Sequence, residues 1–300
     1  MVARIFLNGR PMRDTEQNLP KTLPGSPTPK AAPLIVTIYG DIVEPRGGTL
    51  WIGDLITLCG QFGVNESLVR TAVSRLVSRD QLRGGREGRR SYYSLTDGAR
   101  AGFRLAAERI FGVRDSDCDL LILVQPDRAE HERLLADGFG QIADTVFLGP
   151  DRPGRTGSGA RLRAIAGQGR DPEIRSLLCQ AFDLEGLSQA YSGFIAQYVP
   201  VIGGGPARLS GLNGLEALII RLAMVHAFRT IRLRDPQLPP SVLPDDWPGH
   251  IARDLFAGTY LDLSEISDSF IGATFKGRGG ALPVHTKAVN QRLATLRQNR

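Results

Sequence analysis

Between Ser67 and Arg90 the chain sets hydroxyl and guanidinium side chains at spacings that suit contact with nucleic acid. Ser67, Arg70, Thr71, Ser74, Arg75 and Ser78 recur at steps of three and four, which on a helix gathers them on adjoining parts of one surface. Short hydroxyls let a helix approach the major groove closely, and arginine forks onto guanine edges or phosphate. Just downstream, Arg83, Arg86, Arg89 and Arg90 fall in LRGGREGRRSYYSL, a glycine-punctuated stretch that reads as a basic hairpin. From Arg75 to Arg90 only Asp80 and Glu87 oppose the arginines. A basic loop beside such a helix suits backbone or minor-groove contact. These ten residues are the candidate DNA-binding set; the alternative is a solvated helix face and a charged hairpin.

The elements that must position them are legible around them. LIVTIYGDIV, from Leu34, reads as a helix broken at Arg46-Gly47-Gly48, and Trp51, Ile52, Leu55, Ile56 and Leu58 as a second one. Gly60 to Gly63 is a turn, and Asn65 caps a third helix whose apolar stripe is Leu68, Ala72, Val73, Leu76 and Val77. After the hairpin, Thr96-Asp97 opens a helix running from Gly98 to Phe111. Three helices followed by a strand pair predict a winged helix-turn-helix over residues 34–113. The first 33 residues contain PKTLPGSPTPKAAP and read as a flexible, solvated extension. Residues 114–170 read as a small α+β domain, with a buried strand at Leu120 to Val124, a helix from Asp127 to Asp137 and a strand at Asp144 to Leu148. Asp171-Pro172-Glu173 is a helix start, and residues 171–300 read as mainly helical, with Phe270 onward a weakly ordered tail. The class is α+β and multidomain.

Other chemistry finds little support. Cys59, Cys118 and Cys179 are widely spaced, and His131, His226, His250 and His285 make no paired set, so neither a disulfide framework nor a metal site is expected. No catalytic residue and no cofactor is predicted. Gly203-Gly204-Gly205 is a bare glycine run that reads as a turn. No apolar run spans a membrane and no secretory start is present, which predicts a cytoplasmic protein. The basic residues are almost all arginine, only Lys21, Lys30, Lys276 and Lys287 being lysine, but a net charge of +6 decides little by itself. Two competing classes stay open. One is a metal-dependent nuclease in which Asp115, Asp117 and Asp119 hold Mg²⁺; the other is an acyl-CoA-binding module whose N-terminal domain contacts only proteins.

The stretch LIVTIYGDIVEPRGGTLWIGDLITLCGQFGVNESLVRTAVSRLV, with GRRSYYSLTDGAR after it, resembles the PaaX-type repressors of phenylacetic acid degradation. The matching pieces are Gly40-Asp41, Arg46 to Gly48, Trp51 to Gly53, Asn65 to Leu76 and Gly88 to Tyr93. A second match runs from Phe228-Arg229 through Asp235-Pro236 to Asp246-Trp247-Pro248-Gly249. The resemblance implies a homodimeric repressor with a ferredoxin-like middle domain and a C-terminal dimerisation and effector domain. It also implies release from double-stranded operator DNA by an aryl-CoA thioester such as phenylacetyl-CoA. Arg221, His226, Arg229 and Arg232 are the candidate effector-binding residues, grouped as a phosphate-contacting patch.

Overall fold

The computed structural model describes residues 28–113, 118–152, 157–164, 172–202, 209 and 211–298. The readings placed on residues 1–27, on Asp115 and Asp117, and on Gly203 to Gly205 lie outside them. The chain divides into two compact units that are not contiguous in sequence. One gathers Met1–Ala107, Gly204–His226 and Thr259–Ala294; the other gathers Glu108–Gly203, Ala227–Gly258 and Thr295–Arg300.

In the first unit, helix α1 (Ala31–Ile38) continues through a π turn at Tyr39–Val43 and a 3₁₀ turn at Glu44–Arg46. It stops because Gly47 and Gly48 take φ of +99° and +73°, a region closed to most side chains. Strand β1 (Thr49–Trp51) leads into α2 (Ile52–Gly60), so Trp51 ends a strand, where the sequence suggested a helix. Helix α3 (Glu66–Ser78) follows a turn pinned by buried Phe62 and Val64 around Gly63. Strands β2 (Leu82–Glu87) and β3 (Arg90–Leu95) pair antiparallel, and β1 takes the other side of β3, giving the order β1-β3-β2. Helix α4 (Asp97–Phe111) starts where the Thr96 hydroxyl accepts from the Ala99 amide.

One hydrophobic cluster holds these elements. Leu34, Ile35, Ile38 and Ile42 meet Leu55 and Leu58 of α2, Val69, Val73 and Leu76 of α3, and Leu50, Leu82 and Leu95 of the sheet. Distant sequence completes it. Leu218 and Leu222 come from α8 (Gly214–Arg232), Ile271 from α9 (Gly249–Thr274), and Phe275 and Leu282 follow. Each such side chain contributes about 1.5–3 kcal/mol on burial. The stretch after Phe270 is therefore no loose tail: it finishes α9, forms a hairpin of β8 (Lys276–Gly277) and β9 (Gly280–Ala281), and ends in α10 (Lys287–Gln298).

A buried ionic cluster lies in the same unit. Asp41 accepts from Arg221 (3.0 Å), from the Tyr260 hydroxyl (2.7 Å) and from Arg292 (3.1 Å). Asp268 accepts from Arg221 and from Arg46, each at 2.6 Å. Arg46 also donates to the carbonyl of Ile42 (3.2 Å), closing the end of the first helical run. Burial alone would push the Asp41 carboxyl up; Arg221, Arg292 and the Tyr260 hydroxyl outweigh it and hold the group below the usual carboxylate range. The Gly-Asp and Arg-Gly-Gly pieces of the sequence thus carry a charged core that ties α1 to α8, α9 and α10.

In the second unit, β4 (Leu120–Val124), α5 (His131–Ala136), β5 (Gly140–Ala143), β6 (Val146–Pro150) and β7 (Ala160–Ala164) build a four-stranded sheet of order β5-β6-β4-β7. All its pairings are antiparallel. Leu121, Leu123, Leu134, Phe139 and Phe147 form its core. Helices α6 (Pro172–Ala181) and α7 (Leu184–Ile202) follow. Asp235 anchors the end of α8, accepting from Tyr191 (2.5 Å), Arg232 (3.1 Å) and the Gln237 amide (2.7 Å). Phe228 stacks on Phe256 with ring centroids 4.2 Å apart.

Candidate nucleic-acid interface

Helix α3 owes its start to Asn65, whose side chain accepts from the Leu68 amide at 3.0 Å. Its buried side is Val69, Ala72, Val73 and Leu76. Two residues expected on that side are turned out: Leu68 is 53% exposed and Val77 40%. Ala72, Val73 and Leu76 lie where expected; the stripe is narrower than predicted, because Leu68 and Val77 sit at its two opposite edges and Val69 fills its middle. Ser67, Arg70, Thr71, Ser74, Arg75 and Ser78 are all exposed, with Leu68 among them as an apolar neighbour.

The hairpin reverses over Gly88-Arg89, with Gly88 at φ +57°. Arg83, Arg86, Arg89 and Arg90 are exposed. Strand alternation places Arg83, Gly85 and Glu87 on one face of the sheet with Arg90, Tyr92, Ser94, Thr49 and Trp51; Leu50, Leu82 and Leu95 occupy the core face. Gly84 and Gly85, expected to serve the reversal, serve packing instead: a Cβ at Gly84 would stand 3.0 Å from the Tyr93 ring.

The arginines differ in how free they are. Arg70 is paired with Glu66 at 2.7 Å, and Arg83 reaches Asp97 at 3.5 Å and the Ser94 hydroxyl at 3.3 Å. Both pairs are exposed, so each ion pair holds its arginine only weakly. Among the described residues, Arg75, Arg86, Arg89 and Arg90 have no carboxylate within ion-pair distance. Arg90 is nevertheless positioned, its guanidinium lying 5.1 Å from the centre of the Trp51 ring. That ring in turn lies over Gly53, where a Cβ would come within 2.5 Å of it. Trp51 and Gly53 are thus supports of the hairpin that side-chain type alone did not reveal; the Trp-x-Gly spacing was the available signal.

The four candidate effector residues have different surroundings. Arg221 is fully buried and committed to Asp41 and Asp268, a structural use in place of the expected phosphate contact. His226 places Nδ1 2.8 Å from the Thr37 hydroxyl. Both lie in the first unit, whereas Arg229 and Arg232 belong to the second. Partial burial draws the Arg229 pKa down. Arg232 donates to Asp235 and to the Arg109 carbonyl, and it lines a small cleft with Gln237, Trp247, His250 and Arg253. Asp119, the one described member of the acidic trio, has Arg163 3.8 Å away. Among the described residues, no group of three or more His, Cys, Asp or Glu is arranged to hold a metal ion. No helix among them is long and apolar enough to cross a membrane.

Comparison with known proteins bears on the family of the chain. The model of the PaaX-like protein family matches residues 30–99, and that of the PaaX-like protein C-terminal domain matches residues 182–273. The chain is 28% identical over 283 residues to the transcriptional repressor PaaX of Escherichia coli (strain K12), covering 88% of this chain and 90% of the relative. A solved structure, the uncharacterized protein Rv0674 from Mycobacterium tuberculosis, is 20% identical with a TM-score of 0.49, covering 80% of this chain and 98% of that one. The class is that of DNA-binding transcription regulators. The chain belongs to the PaaX-like family.

Proposed function

We propose that this protein is a cytoplasmic, homodimeric repressor that reads a two-fold symmetric operator through a winged helix and lets go when an aryl-CoA thioester such as phenylacetyl-CoA binds. The observation that carries the reading is the pairing of two exposed basic features in one unit: the hydroxyl-and-arginine face of α3, and a hairpin whose Arg86, Arg89 and Arg90 make no ion pair among the described residues. Helix α3 enters the major groove, where Arg75 and the hydroxyls meet base edges and phosphates. The hairpin, as the wing, holds the backbone beside it. The four-stranded sheet is read as ferredoxin-like, supported by its strand order and by α5 lying between β4 and β5. The effector reading rests on the family resemblance; it gives up Arg221 and keeps Arg232 at its cleft. For the ligand to release DNA it must bind the two conformations unequally.

A fluorescence titration on the operator tests the reading. Arg70→Ala with Arg75→Ala weakens the operator more than random duplex, while Arg86→Ala with Arg89→Ala weakens both and flattens the salt dependence. Phenylacetyl-CoA raises the operator Kd of the parent. Unchanged affinity in both arginine pairs refutes the docking; unchanged affinity with the thioester refutes only the effector.

A further inference from the structure

The hairpin of β8 and β9 was invisible as a functional element in the sequence, yet it is built onto the sheet that carries the wing. The Lys276 amide donates to Asp54 at 2.7 Å, and the Arg278 amide donates to the Thr49 hydroxyl at 3.0 Å. Gly277 faces β1 so closely that a Cβ there would stand 3.1 Å from the Thr49 carbonyl oxygen. With its backbone held at β1, Arg278 extends toward β2 and lays its guanidinium against Gly85, where any Cβ would overlap it. Two strand spacings of about 4.8 Å separate those points, a distance only a long side chain spans. The second glycine of the wing is therefore the seat of an arginine from the far end of the chain.

Lys276, in β8, and Arg278, in the turn that follows it, are both exposed, on either side of buried Gly277. Among the described residues neither side chain has a carboxylate within ion-pair distance. Asp54 accepts from the Lys276 amide and also attracts the Lys276 and Arg90 charges; Glu87 stands opposite Arg90 in the wing, and Asp97 is engaged by Arg100 at 2.9 Å. Arg83 and Arg90 stand on the same sheet face as Gly85. The chain thus concentrates two more cations, held by backbone bonds and a glycine seat, beside the basic hairpin already described.

We propose that Lys276 and Arg278 form a second phosphate clamp, which holds the duplex DNA backbone alongside the wing. This deepens the DNA-binding reading and rests on it. A clamp of this kind adds sequence-independent affinity, since ammonium and guanidinium groups on phosphate carry no base information.

The test uses the full chain and a random 30-base-pair duplex, followed by fluorescence anisotropy across salt concentrations. Each phosphate contact contributes about 0.9 to the slope of log affinity against log salt, so Lys276→Ala with Arg278→Ala makes the slope shallower by about 1.8. Over a fourfold rise in salt, that removes roughly a tenfold part of the affinity loss. The charge-conserving pair Lys276→Arg with Arg278→Lys keeps the parental slope. If the alanine pair keeps the parental slope while Arg86→Ala with Arg89→Ala lowers it, the clamp is overturned and the wing stands. If neither pair changes it, the DNA-binding reading falls as well. A measurement on the unmutated protein guards against misfolded variants. With only Lys21, Lys30, Lys276 and Lys287 to modify, mass spectrometry after brief acetylation reports each lysine separately. Duplex DNA protects Lys276 if the clamp exists, and equal labelling with and without DNA overturns it.

Discussion

Replacing Asp41 by asparagine keeps the side chain's shape but removes one of two negative charges from a cluster of three arginines. Arg46, Arg221 and Arg292 are then balanced by Asp268 alone. The Asp41 and Arg221 side chains at the centre of the site are both 0% exposed. The new amide also points N–H donors at guanidinium groups that can only donate. Removing one partner of a buried ion pair costs about 3–5 kcal/mol, because the charge left behind stays desolvated. Natural domains hold roughly 5–15 kcal/mol in total, so Asp41→Asn forfeits a large part of the reserve. For a unit of this size that is a fall in Tm of roughly 6–20 °C. Thermal unfolding followed by circular dichroism measures it, with Asp97→Asn, an exposed carboxylate, as the control expected to stay within about 0.5 kcal/mol of the parent. The pH dependence follows from the depressed folded pKa. Asp41 stabilises fully above its unfolded value of about 3.9, and that contribution is lost as pH falls through the lower folded value. The gap between parent and variant should therefore be constant at neutral pH and narrow below about pH 4. An Asp41→Asn protein melting within about 2 °C of the parent at pH 7 would refute the account of this cluster as a mutually dependent charged core.

Gly53→Ala forces the Trp51 ring off its seat; at about 1–3 kcal/mol of overpacking it lowers Tm, and by freeing Arg90 it weakens random-duplex binding as Arg90→Ala does. Anisotropy on both variants checks this, and a Gly53→Ala protein with parental affinity speaks against the support role of Trp51. Leu68→Ser leaves Tm within the range of a surface change, whereas Val69→Ala, one position along, costs roughly 1.5–3 kcal/mol. Equal melting temperatures for those two variants would contradict the observed burial of Val69 and exposure of Leu68.

Local physics made α3 and the hairpin legible without coordinates. Asn65 as a cap, a 3.6-residue apolar period and a glycine-led reversal each act within a few residues, and the structure has all three where they were expected. The expected stripe was too wide at both edges, Leu68 and Val77, and it missed Val69; all three are apolar, and only the position of the core distinguishes them. The exposed arginine face was unaffected, since Ala72, Val73 and Leu76 hold the opposite side as expected.

What the sequence determined by itself is which residues carry charge and hydroxyl, and which segments form helices and a basic hairpin. Tertiary structure alone decided which charges are free to meet DNA. Arg221 looked as available as Arg75, yet it lies enclosed between Asp41 and Asp268, carboxylates 180 and 47 positions away. Lys276 and Arg278 fell in an apparent tail, yet they sit on the sheet of the wing. The physical reason is the same in both cases: a cation's role depends on its solvation and its nearest opposite charge, and long-range folding sets both.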